Sequence, residues 1–258
     1  MDPASREPSG LLGPSIDLNA DAGELDHLLE SDLELLGVVS SVNIACGGHA
    51  GGDGLMHAML TRAADRGVAL GAHPGYADRE GFGRVELGLD AQAIYTLCRQ
   101  QVASLARSAA QHGLTLAHAK PHGALYHRAM QDAQAAEAVA RGCLDAVAEV
   151  TGDPFARLTF VGLPETPGLD RWLELDLDVA REGFIDRGYT GDGALIERGR
   201  PGDVHQDAAR AIAQALKLAR SGRFDTLCIH GDTPGALEIS RAARAALLEG
   251  GVAIRPAW

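Results

Sequence analysis

Short apolar runs alternate with longer amphipathic stretches along almost the whole chain. Ser15 to Asn19, Val42 to Ala45, Val68 to Ala72, Thr115 to Ala119, Leu158 to Gly162, Leu177 to Ala180 and Thr226 to His230 have strand length and predict seven strands. Between them, Leu55 to Arg66, Asp90 to Gly113, Asp132 to Val150 and Gln206 to Ser221 are rich in Ala and Leu at helical spacing, and several end near Gly. A last helix, Gly235 to Glu249, leads into a short Val252 to Ile254 run. Strands that alternate with helices pair in parallel, and such a repeat either closes into a barrel or winds into an open sheet.

A barrel is favoured, because polar residues of chemical use follow nearly every strand and not only the two beside a switch point. Side chains alternate across a strand. Asp17, Asn19 and Asp21 therefore share one face, as do His118, Lys120 and His122, and Cys228, His230 and Asp232. Ile16, Leu18, Leu227 and Ile229 take the opposite face and suit packing against helices. A polar inner face at the C-terminal strand ends is where barrels of this type keep their active sites. Residues 1–14, with Pro3, Pro8, Gly10, Gly13 and Pro14, are expected to be a flexible leader, and 15–258 a single barrel domain.

Composition narrows the function. The net charge of −12 and the lack of a basic stripe with interleaved aromatics argue against nucleic-acid binding. No apolar run approaches the roughly 18 to 20 residues of a membrane span, and the N-terminus lacks a signal-peptide pattern, so a cytoplasmic location is expected. The four cysteines form no CxxC pair and predict neither a zinc knuckle nor a disulfide framework.

Rare residues mark the candidate site. The chain has two asparagines, Asn19 and Asn43, and two lysines against 21 arginines. Both asparagines and Lys120 fall in strand-like segments with His or Asp nearby. A lone Lys in a chain that otherwise uses Arg points to a task suited to a compact ammonium group. Pro121 keeps the His118–His122 segment extended. His73 opens a long Gly-rich loop in which Arg79 and Arg84 offer forks for a carboxylate or phosphate. Glu182, Asp186 and Arg187 follow the sixth strand, where the bland reading is a surface Asp186/Arg187 pair. His230 and Asp232 precede a helix start capped by Thr233 and Pro234. Asp21, His49, His73 and His122 are candidate ligands for a divalent metal, although no HExxH spacing requires one. There is no GxxxxGK[ST] loop. His127 and the other histidines on helices or loops read as ordinary surface or packing residues.

Six segments in order, IDLNADAGE, SSVNIACGGHAG, GVALGAHPGYADREGFGR, HAKPHGALY, EGFIDRGYTGDGAL and CIHGDTPGA, resemble the LamB/YcsF family, identified with the A subunit of bacterial ATP-dependent 5-oxoprolinase. Three positions depart from the family pattern: Gly48 stands where Phe is common, Gly52 where Asp is common, and Val85 where a second Arg is usual. Asp53 is the nearest replacement for the missing carboxylate.

The resemblance implies a seven-stranded parallel β/α barrel, TIM-like and of the glycoside hydrolase/deacetylase type. It also implies opening of the 5-oxoproline lactam to glutamate with ATP hydrolysis, ATP being the co-substrate with Mg2+, and partner subunits B and C. On that footing Asp21 or Glu24 is expected to activate water, with His73 and His122 carrying protons. Lys120, Arg79 and Arg84 are expected to hold phosphate or the substrate carboxylate, and Asn19 and Asn43 to orient the ring amide. Asp17, His49, Glu182, Asp186, Arg187, His230 and Asp232 complete the expected binding set. Replacing Lys120 by Met is expected to abolish turnover and leave the fold intact. The alternatives are a metal-dependent deacetylase or glycan hydrolase on the same barrel, and a catalytically silent subunit that only supports its partners.

Overall fold

Seven strands close on themselves in a computed structural model that describes residues 14–191, 193–205 and 207–258. They are β1 (Ser15–Ala22), β2 (Ser41–Ala45), β3 (Ala69–His73), β4 (His118–Ala119), β5 (Thr159–Gly162), β6 (Val179–Phe184) and β7 (Thr226–His230). Each pairs in parallel with the next, and β1 pairs with both β2 and β7, which shuts the barrel. The Val252–Ile254 run becomes β8 (Ala253–Ile254), an added strand beside the start of β1. Of the expected leader, residues 1–13 lie outside the described residues; the Pro14 carbonyl accepts from Ala253 N.

The helices are α1 (Leu29–Leu35), α2 (Asp53–Arg66), α3 (Ala91–Gln111), α4 (Gly123–Gln131), α5 (Ala133–Thr151), α6 (Pro167–Glu174), α7 (Ala208–Arg220) and α8 (Ala236–Glu249). The starts of α3, α5, α6 and α7 are set by side-chain caps that satisfy otherwise unpaired N–H groups. Asp90 accepts from Ala93 N, Asp132 from Gln134 N, and Asp207 from Ala209 N. The face of α5 turned inward is built of small residues, mostly alanine with Val139, Gly142, Cys143 and Val147, and it packs closely on α3. At their contact a Cβ on Gly142 would lie 2.6 Å from the Tyr95 carbonyl oxygen. Among the described residues no helix is long and apolar enough to cross a membrane.

The outward positions of β1, Ile16, Leu18, Ala20 and Ala22, are buried under the helices. The inward positions build a polar ladder where many barrels have layers of branched aliphatics. At the bottom, Asp17 accepts from the hydroxyls of Ser40 (2.6 Å), Ser41 (2.8 Å) and Thr226 (2.5 Å). One layer up, Asn19 Nδ2 donates to Thr226 Oγ1, and Asn43 Nδ2 donates to Asn19 Oδ1 and Asp21 Oδ1. His118 Nε2 lies 2.8 Å from Asn43 Oδ1. From the N-terminal end of the barrel, Trp258 stacks on His118 with ring centroids 3.9 Å apart. Apart from His118 Nδ1 and Trp258 Nε1, these buried groups are hydrogen-bonded and so escape most of the desolvation cost of burial, and their directionality fixes strand register.

Candidate active site

The ladder ends in a caged lysine. Lys120 Nζ lies 2.9 Å from Asp21 Oδ1, 2.8 Å from Glu182 Oε1 and 3.0 Å from Cys228 Sγ, with all four residues buried. Tyr126 donates to the other Glu182 oxygen at 2.8 Å. Burial works against the charge on Lys120, but Asp21, Cys228 and Glu182 outweigh it and hold the ammonium well above its ordinary value. Burial likewise opposes ionisation of Asp21, yet the charge and hydrogen bond of the Lys120 ammonium keep its carboxyl well below the usual range. An ionised Asp21 bonded to Lys120 and Asn43 is a weak base and holds the lysine ammonium in place.

Above this pair lie three histidines and a glutamate. His73 Nδ1 faces the Lys120 carbonyl at 2.8 Å, and His122 Nε2 faces the Phe82 carbonyl at 2.8 Å. A carbonyl only accepts, so both of these nitrogens carry protons and the lone pairs are left on His73 Nε2 and His122 Nδ1. Glu24 Oε1 stands 3.0 Å from His49 Nε2 and 3.3 Å from His122 Nδ1. His49 stacks flat on His122 at 3.6 Å, and its Nδ1 is buried without a partner. Burial lowers His49 to about 3 and brings His73 and His122 well below their ordinary values, so all three rings are neutral at pH 7. Burial and the neighbouring Asp21 push Glu24 up to about 8.

One donor atom from each of Glu24, His49, His73 and His122 lies within 4.8 Å of the others. Neutral imidazoles, those of His73 and His122 with fixed tautomers, and a carboxyl that gives up its proton to a metal are the donor set of Zn2+-type sites, so these residues fit a divalent cation. An ion held there would supply Lewis-acid polarisation of an oxygen. The carboxylate of this group is Glu24, where the sequence pointed to Asp21; Lys120 and Asn43 have already claimed Asp21.

A second acid–base element lies across the mouth. Asp186 accepts from Thr233 Oγ1 at 2.6 Å and lies 2.9 Å from His230 Nδ1. Although burial opposes it, the neighbouring His230 lowers the Asp186 carboxyl to about 2. The carboxylate orients the ring and leaves Nε2 turned toward Asp21 Oδ2, 3.9 Å away.

The remaining expected residues divide by position. Asp21, His73, Lys120, His122, His230, Arg84 and Arg187 line one mouth cavity of about 750 Å³. Arg84 pairs with Asp232 and lies over the Phe82 ring. Asp186 and Arg187 are both buried and do not form the expected surface pair: Arg187 donates to the carbonyls of Ile196 and Asp203. Asp17, Asn19 and Asn43 lie under the cavity floor and are absent from its lining. Their polar groups are committed to the ladder, which corrects the expectation that Asn19 and Asn43 orient the ring amide and that Asp17 belongs to the binding set. Arg79 also falls outside this cavity; it bonds to the Gly51 carbonyl and, with Asp53, lines a separate open groove.

Two supporting residues escaped the sequence reading. Tyr126 sits inside the HAKPHGALY segment, yet only the fold shows its hydroxyl meeting Glu182. Gln101 clamps the histidine loop by donating to Gly75 O (2.7 Å) and accepting from Gly75 N (3.1 Å).

A closed parallel β/α barrel with a buried lysine, three neutral histidines and paired carboxylates at its C-terminal mouth defines an enzyme-like barrel. The chain belongs to the LamB/YcsF family, whose model matches residues 16–258. It is similar to the lactam utilization protein of Thermus thermophilus, at 37% identity and a TM-score of 0.81, over 93% of this chain and 99% of that one. The fold is shared with the family 4 carbohydrate esterase of Streptomyces lividans, at 12% identity and a TM-score of 0.51 over 93% of this chain and 91% of that one. T48 deacetylase stands at the same identity and TM-score, over 93% of this chain and 87% of that one.

Proposed function

We propose that this chain is the A subunit of an ATP-dependent 5-oxoprolinase, opening the 5-oxoproline lactam to L-glutamate together with subunits B and C. The observation that carries this reading is the 37% identity, over nearly the full length of both chains, to a protein described as acting in lactam utilization. The site has parts that such chemistry needs. A lactam is a poor electrophile; phosphorylating its oxygen polarises the ring carbon and turns that oxygen into a leaving group. Water then attacks the carbon, the C–N bond breaks as the ring nitrogen takes a proton, and a second water cleaves the resulting acyl phosphate to release inorganic phosphate and glutamate. His230, oriented by Asp186, is placed to accept the water's proton at Nε2. Lys120 and Arg84 line the same cavity, and phosphoryl oxygens would share their N–H donors with Asp21, Glu182 and Asp232. Glutamate release from 5-oxoproline with ATP tests this, using the chain alone and mixed with B and C subunits. Release only in the mixture is the expected result, and none in a mixture whose partners bind would remove the reading.

A second reading is favoured by the Glu24, His49, His73 and His122 group: a metal-dependent deacetylase or glycan hydrolase. Stoichiometric divalent metal together with ATP-independent deacetylation of an N-acetylated sugar would decide for it.

A further inference from the structure

The wall of the mouth cavity opposite the histidines is cationic. Arg187, three residues past the end of β6, and Arg198, further along the segment between β6 and α7, both line it. Arg187 is only 4% exposed, and Arg198 is half-buried. Among the described residues no carboxylate forms an ion pair with either guanidinium. The hydrogen bonds of Arg187 go to the main-chain carbonyls of Ile196 and Asp203, which fix the fork in place without neutralising it. The other charged residues on this side are already matched. Arg128 pairs with Asp132 at 2.8 Å, Glu197 with Arg200 at 3.4 Å, and Arg84 with Asp232.

A buried charge without a counter-ion is costly, and two close together are costlier. Burial and the Arg198 charge bring Arg187 below the ordinary arginine value, outweighing the nearby Asp186 and Asp203 carboxylates, neither of which forms an ion pair with it. A guanidinium keeps its proton under such conditions, so the site stays positive. Such a pair facing a roomy cavity is completed by an oxyanion from outside the chain, which a planar guanidinium binds with two parallel N–H donors.

We propose that Arg187 and Arg198 form an oxyanion-binding wall that holds a carboxylate or phosphate group of the substrate while its reacting end lies against Lys120 and His230. The wall depends on the lactam reading only for the identity of the anion, which in that reading is the carboxylate of 5-oxoproline.

Arg198 is the residue to change, because Arg187 also braces the loop. Calorimetric titration of the full chain with 5-oxoproline, with 2-pyrrolidinone (the same lactam without the carboxylate) and with inorganic phosphate compares wild type, R198Q and R198K. R198Q is expected to weaken an oxyanion by about ten- to a hundredfold, the range of one charge-assisted contact. R198K should recover part of the loss, 2-pyrrolidinone should be unaffected, and the melting temperature should stay unchanged. A loss confined to 5-oxoproline assigns the wall to the carboxylate, and one confined to phosphate assigns it to a phosphoryl group. If wild type binds neither lactam while R198Q loses phosphate, the lactam reading fails and the wall stands. Equal oxyanion affinity in R198Q and wild type, or no oxyanion binding by wild type, overturns the proposal.

Discussion

His73 Nε2 and His122 Nδ1 face each other at 3.0 Å, and each is the nitrogen left unprotonated when its ring donates to a main-chain carbonyl. Two lone pairs so close repel, and a shared cation relieves that repulsion. The H122Q and E24Q variants are therefore expected to bind Zn2+ at least tenfold more weakly than wild type, as read by calorimetry and by metal content after dialysis. Equal affinity in all three proteins would separate this cluster from metal binding.

The Lys120 cage changes what its removal should do. The sequence alone pointed to a loss of turnover with the fold intact. In the structure K120M leaves Asp21 and Glu182 buried without their cation, a change worth about 3–5 kcal/mol. The variant should show both lost turnover and a clearly lower melting temperature, and adding E182Q should restore part of the stability but none of the activity. A K120M protein as stable as wild type in urea would contradict this account.

Asp186 and His230 make a pH-dependent contribution. The Asp186 value is depressed to about 2 from 3.8, so its stabilisation is present above about pH 4 and is lost as pH falls toward 2. The amount is on the order of 2 kcal/mol. His230 is the largest favourable cause, so H230Q should lose less stability than wild type over that acid interval while starting from a lower value. Parallel acid-unfolding curves, followed by circular dichroism, would count against it.

Gly75 has the histidines pressed against it. A Cβ there would lie 2.6 Å from His49 Nδ1 and 3.1 Å from the His122 Cβ. G75A is expected to cost about 1–3 kcal/mol and to shift the His49/His122 stack. Chemical shifts of these two imidazoles should move, while those of distant His205 stay put; unmoved imidazole signals would show that the loop yields instead.

The barrel was legible because its strand and helix periods differ and recur in alternation, and the strand-end polar residues marked the mouth. Three things were not legible. Alternation shows which face a residue takes but not how deep it sits, so Asn19 and Asn43 read as ring-binding residues when they belong to the floor. Pairing is three-dimensional: Asp186 and Arg187 are neighbours in the chain, but one turns to His230 and the other to main-chain carbonyls across the loop. Arg198 carried no signal, since an arginine in a charged loop segment looks solvated until the cavity beside it is seen.

The Gly48 departure has a counterpart. A Cβ at Gly48 would come within 2.5 Å of the Gln101 side-chain amide, the group that clamps Gly75. Positions 48 and 101 thus share one volume and are expected to vary together. Lineages with a phenylalanine at the first are expected to carry a smaller or differently shaped residue at the second, and to hold the histidine loop by aromatic packing in place of an amide clamp. Exchanging either residue between the two kinds of lineage should fail singly and succeed as a pair.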